Sequence, residues 1–152
     1  MKTIAFFGHR RLWKEDIRDK LKDAIVSNLD GETRCMIGVH GEYDRLALSV
    51  CRELRSSYPK LKIIVVFTDL KILQKRDGEF FSKADYYDDV ETMIYDIEEV
   101  HFKRRITLSN KKMVEDSQLI ICYADMNSYQ SGAKNAVAYA IKQEKKVINL
   151  FK

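Results

Sequence analysis

The chain has 152 residues, 45% of them apolar and 33% charged, with 27 basic against 23 acidic residues and a net charge of +4. That length suits one domain that buries its core without disulfides or metal. The charge is too small to imply a nucleic-acid partner by itself, and no apolar run approaches the roughly 20 residues needed to cross a bilayer.

Five short apolar runs are continuous rather than alternating, the pattern of strands buried on both faces. They lie at 3–7, 35–39, 63–67, 119–123 and 147–150. Helical spacing fills the gaps between them. Segment 14–28 sets Ile17, Leu21, Ala24 and Ile25 on one face, and segment 43–54 does the same with Leu46, Ala47, Val50, Cys51 and Leu54. A shorter helix is predicted over 108–116, and another over 133–143 with Ala136, Val137, Ala140 and Ile141 on one face. Strands alternating with helices predict an α/β fold, a parallel sheet covered on both faces. The sole proline, Pro59, falls just before the third strand, where it is harmless.

The insertion at about 68–105 breaks this rhythm. Its second half is acidic (YYDDVETMIYDIEE, 86–99), and KRR follows at 103–105. A functional lid and a plain solvated loop both fit it. Cys35, Cys51 and Cys122 are far apart and sit in apolar stretches, as reduced buried thiols of a cytoplasmic protein do. The start of the chain has no long apolar core of the kind a signal peptide needs.

In folds of this class, ligands sit beyond the C-terminal ends of the strands. Four segments lie there. Gly8-His9-Arg10-Arg11 follows the first strand, where a glycine and basic groups suit a phosphate but equally an ordinary turn. Gly38-Val39-His40-Gly41-Glu42-Tyr43-Asp44 follows the second. Asp44 serves there as a complement to a helix N-terminus, as a partner for a ribose hydroxyl, or as an orienter of His9. His9, His40 and Asp44 match no standard zinc spacing, so no metal is expected. Asn110, after Ser109, caps a helix or reaches a ligand. DMNSYQSGAK (125–134) leaves a strand and enters a helix through Ser131, Gly132, Ala133 and Lys134, a cradle of backbone N–H groups for an anion. Its spacing is neither GxGxxG nor a Walker A motif.

Taken together, GHR, GVHGEYDRLA, SNKKMVEDSQLIICY and SGAKNAVAYAIKQEKKVINL resemble the SLOG superfamily. This is the Rossmann-like group that includes the DNA-processing protein DprA and the Lonely Guy nucleotide hydrolases. The pattern is nearest to small members from Firmicutes. The resemblance implies a doubly wound, three-layer sheet of about five strands. Numbered in chain order, these would run 3-2-1-4-5, with a nucleotide-related ligand over their ends. By position it carries over Gly8, His9, Arg10, Gly41, Asp44, Asn110, Met113, Gly132 and Ala133.

The departures from the pattern are informative. The catalytic Glu of the Lonely Guy hydrolases falls at Ala136, and their Arg falls at Ser109. The leading expectation is therefore binding or sensing of a nucleotide or nucleotide-derived ligand by Gly8, His9, Arg10, Gly38, His40, Gly41, Asp44, Asn110, Ser131, Gly132, Ala133 and Lys134. An alternative is cleavage of a nucleotide N-glycosidic bond by His9 with Asp44 or Asp125. A third is a nucleic-acid-binding module using Lys103, Arg104, Arg105, Lys111 and Lys112. No cofactor and no membrane partner are expected, and the last helices leave room for a homo-oligomer.

Overall fold

The computed structural model describes residues 1–12, 17–68, 86–95, 101–128 and 131–151. All five apolar runs form strands: β1 (Lys2–Gly8), β2 (Thr33–Ile37), β3 (Leu61–Phe67), β5 (Leu119–Tyr123) and β6 (Lys146–Asn149). Another strand, β4 (Glu91–Ile94), comes from the acidic stretch. The helices are α1 (Arg18–Ser27), α2 (Glu42–Arg55), α3 (Phe102–Glu115) and α4 (Gly132–Lys142). The six strands are parallel in every pair and run β4-β3-β2-β1-β5-β6. Without β4, this is the expected order.

The added strand corrects the five-strand reading and part of the irregular 68–105 reading. β4 sits at the sheet edge with Glu91 and Thr92 exposed, so burial never demanded an apolar run there. α3 also begins six residues before the predicted start at 108, because its first turn carries the KRR charges rather than a periodic apolar face. Residues 69–85 and 96–100 of the insertion, and the start of the first predicted helix at 14–16, lie outside the described residues.

Side chains alternate across the sheet and make two cores. On one face Ile4, Phe6, Ile37, Ile63, Val65 and Ile121 pack against Leu21 and Ile25 of α1 and against Tyr43, Ala47 and Cys51 of α2. On the other, Ala5, Phe7, Met36, Ile64, Ile120 and Cys122 meet Met113 and Val114 of α3 and Ala133, Ala136, Val137 and Ala140 of α4. Burial on both faces is why these strands read as unbroken apolar runs. The three cysteines are free and buried.

Tyr43 is the largest fully buried side chain among the described residues. It stacks on Tyr123, with ring centroids 6.3 Å apart, and donates its hydroxyl to the Ile121 carbonyl at 2.8 Å. Tyr43→Phe is expected to cost about 1–2 kcal/mol, read as a lower denaturation midpoint with unchanged slope. A loss near zero would mean that the hydroxyl bond carries nothing.

Candidate functional site

From β1 the chain proceeds to β2, β3 and β4 on one side, while β5 and β6 lie on the other. The switch in direction falls between β1 and β5, the place where such sheets open a crevice. A cavity of about 610 Å³ lies there. It is lined by Gly8, His9, Arg10 and Arg11 at and beyond the end of β1, by Gly38, His40 and Asp44 around the start of α2, and by Asp125, Ser128, Ser131, Gly132 and Ala133 from the end of β5 to the first turn of α4. Ile106, Asn110 and Met113 of α3 close one side, and Phe6 and Phe7 line part of it.

The loop after β1 is stitched down on both sides. The His9 N–H donates to the Tyr123 carbonyl at 3.1 Å, and the Glu42 N–H donates to the Arg10 carbonyl at 2.9 Å. The Glu42 carboxylate also accepts from the Leu12 N–H at 3.2 Å. Two glycines permit this packing. A Cβ on Gly8 would lie 2.1 Å from Cγ of Tyr43, and one on Gly41 would lie 2.5 Å from Cα of Arg10. Both positions therefore owe their glycine to the neighbouring chain rather than to a ligand.

His9 Nε2 accepts the Asp125 backbone N–H at 2.7 Å. Its Nδ1 accordingly carries the proton of the neutral ring. Burial lowers the His9 pKa, partly opposed by the Asp125 charge, which favours the neutral ring. A proton-transfer role for Nε2 requires that bond to open. The Asp125 carboxylate accepts from the Asn127 N–H at 3.0 Å, which closes the turn after β5.

The carboxyl of Asp44 is deeply enclosed, although the residue keeps some surface along the cavity. Burial raises its pKa to about 6, opposed by the bond it accepts from the His40 N–H at 2.9 Å. The expectation that Asp44 orients His9 is thus corrected: its bond goes to the His40 backbone. Nε2 of His40 is buried with no hydrogen-bond partner among the described residues. Desolvation and the nearby Arg10 charge both lower the His40 pKa.

At α4, Ser131 caps the helix by accepting from the Lys134 N–H at 3.0 Å. The N–H groups of Gly132 and Ala133 find no acceptor among the described residues. A Cβ on Gly132 would meet nothing within 4 Å, so the space before the helix is open.

Of the predicted ligand-binding residues, the cavity brings together Gly8, His9, Arg10, Gly38, His40, Asp44, Asn110, Ser131, Gly132 and Ala133. It leaves out two. Gly41 packs on Arg10 and lines a second cavity, and the Lys134 ammonium is spent on the Ser128 carbonyl at 2.8 Å. Sequence reasoning missed Phe6, Phe7 and Ile106 as lining residues. Arg11 and Ser128 fall inside two of the candidate segments but were not singled out as ligand-binding residues. Ala136 and Ser109 are both buried and line neither cavity.

Among the described residues no three His, Cys, Asp or Glu side chains group as a metal site requires. No described helix is long and apolar enough to cross a membrane. Arg104 and Lys111 are exposed on α3 and lie seven residues apart, two turns along one side. Ile106, Asn110 and Met113 turn the opposite side to the cavity, so the basic pair faces away from it. The Lys103 side chain lies outside the described residues.

No protein-family model and no curated relative matches the chain. Among solved structures, it is similar to DNA processing protein A (DprA) from Streptococcus pneumoniae, with a TM-score of 0.66 at 15% identity. The match covers 97% of this chain and 50% of that one, so the chain spans half the length of this neighbour. At that identity the likeness carries the fold, and it is the Rossmann-like fold that the SLOG resemblance implied.

Proposed function

We propose that the chain binds a nucleotide in the cavity at the β1–β5 switch, with its phosphate against the first turn of α4. One observation carries this reading. Gly132 and Ala133, whose N–H groups find no acceptor among the described residues, line a single cavity together with Arg10 and His40. Helix N-termini with free donors favour anions, and a guanidinium adds a charge-assisted bond. Asp44, an acceptor, suits the ribose hydroxyls. The cavity volume lies within the roughly 300–1,000 Å³ of small-molecule sites. The likeness to a DNA-processing protein agrees with a nucleotide-related ligand. A nucleic-acid groove is less favoured, because the exposed basic pair of α3 faces away from the cavity. N-glycosidic cleavage is less favoured too, because the hydrolases' carboxylate and arginine positions hold Ala136 and Ser109.

Calorimetric titration and thermal shift with mono-, di- and cyclic nucleotides and NAD-derived compounds test the proposal. At least one is expected to bind, and Arg10→Ala is expected to weaken that binding about tenfold or more. No heat and no shift across the panel would overturn it.

A further inference from the structure

A second cavity, of about 350 Å³, opens beyond β2 and β3. Gly38 and Asp44 line both cavities, so the two meet at these residues. A Cβ on Gly38 would lie 3.0 Å from Oδ2 of Asp44, so glycine is what keeps this neck clear of a side chain.

The walls of the second cavity differ from those of the first. Phe67, Tyr86, Tyr87 and Leu48 make it aromatic and apolar, with Arg45 as its cation. The aromatic wall is held in place. Tyr87 meets Phe67 edge to face, with centroids 5.1 Å apart, and Tyr86 at 4.9 Å. Arg52 lies 4.6 Å over the Tyr86 ring and pairs with Asp89 at 2.8 Å. Arg55 donates to the Asp89 carbonyl at 2.8 Å. The turn bearing both tyrosines is therefore clamped to α2.

We infer that this cavity receives a flat ring, and that the ligand is a dinucleotide or a nucleotide joined through its phosphates to a second ring. The inference rests on the nucleotide reading above. Phosphates belong at the α4 end, where the donors are, and not at the neck, where Asp44 presents an acceptor. A sugar hydroxyl fits the neck, and the ring beyond it meets Tyr87 and Phe67. The first cavity still has room for the other nucleoside, against Ile106 and Met113.

Titrations of wild-type protein with AMP and with NAD⁺ test this, repeated on Tyr87→Ala and on Val39→Phe, which fills the second cavity from its loop. NAD⁺ is expected to bind about tenfold tighter than AMP, the worth of one stacked ring. Both variants should remove that advantage and leave AMP affinity unchanged. Equal affinity for AMP and NAD⁺, or variants that leave the ratio intact, would overturn the dinucleotide inference while the nucleotide site stands. Equal losses for both ligands in the variants would put the single base of AMP in the second cavity, and would overturn it too. If neither compound nor any other nucleotide binds, both proposals fall.

Discussion

Gly8→Ala is expected to destabilise the protein by about 3 kcal/mol, at the upper end of what core overpacking costs. The new methyl would lie 2.1 Å from Cγ and 2.3 Å from Cδ2 of Tyr43. The ring cannot step aside. It is fully buried, stacked on Tyr123 and bonded to the Ile121 carbonyl. Nor can the strand retreat, since Gly8 pairs with Tyr123 and the next residue, His9, is bonded to it. The melting temperature should fall by about 6–12 °C for a domain of this size. A loss below about 1 kcal/mol would show that β1 and α2 can part to admit the methyl.

Asp44→Asn should have the opposite effect on stability, and only above neutrality. Burial raises the carboxyl from an ordinary 3.8 to about 6. The fold thus favours the protonated form. The stabilisation this brings is complete below the unfolded value of 3.8 and is lost as pH rises through about 6. At pH 8 the group is ionised where ionisation is disfavoured. A shift of two units corresponds to about 3 kcal/mol, and contact with the open cavity reduces the expected gain of the variant to about 2 kcal/mol. The amide oxygen still accepts the His40 N–H, so little else changes. Denaturant unfolding at pH 8 should show the gain, and at pH 4 it should be nearly absent. An equal gain at both pH values, or none at pH 8, would refute the assignment. Nucleotide affinity should move the other way, since the variant loses a charged acceptor at the neck. A residue that costs stability where it stands is the mark of a site kept for binding.

Most of the sheet was legible because β1, β2, β3 and β5 are buried on both faces. Leu119–Tyr123 was predicted to the residue, and every side chain in it is buried. β4 was not, because an edge strand half in solvent tolerates Glu91 and leaves no apolar run. The loops of the site were legible from their place after strands and from their glycines. The reasons for those glycines were not. Gly8 reads as a place for a ligand to approach, yet Tyr43, 35 positions on, is what approaches it. Likewise an orienter of His9 was one of three readings open for Asp44, and only the three-dimensional path of the loop turns it to the His40 backbone. The aromatic cavity was hidden by composition: among so many acidic neighbours, Tyr86 and Tyr87 read as part of a solvated loop.

The parallel sheet also sets a timetable for synthesis. β1 lies in the middle of the sheet, and its two neighbours are β2, which starts at Thr33, and β5, which starts at Leu119. On a ribosome moving at about 5–20 residues per second, β2 follows β1 within seconds, whereas β5 arrives roughly 6–22 s after β1. For that interval one edge of the future central strand has no mate, and no hairpin can supply one, because parallel neighbours need long crossovers. The nascent chain is therefore most exposed to pairing with a neighbouring copy while residues 38–118 are being made. A chaperone that covers β1 during that interval would protect the yield of folded protein without touching its final stability.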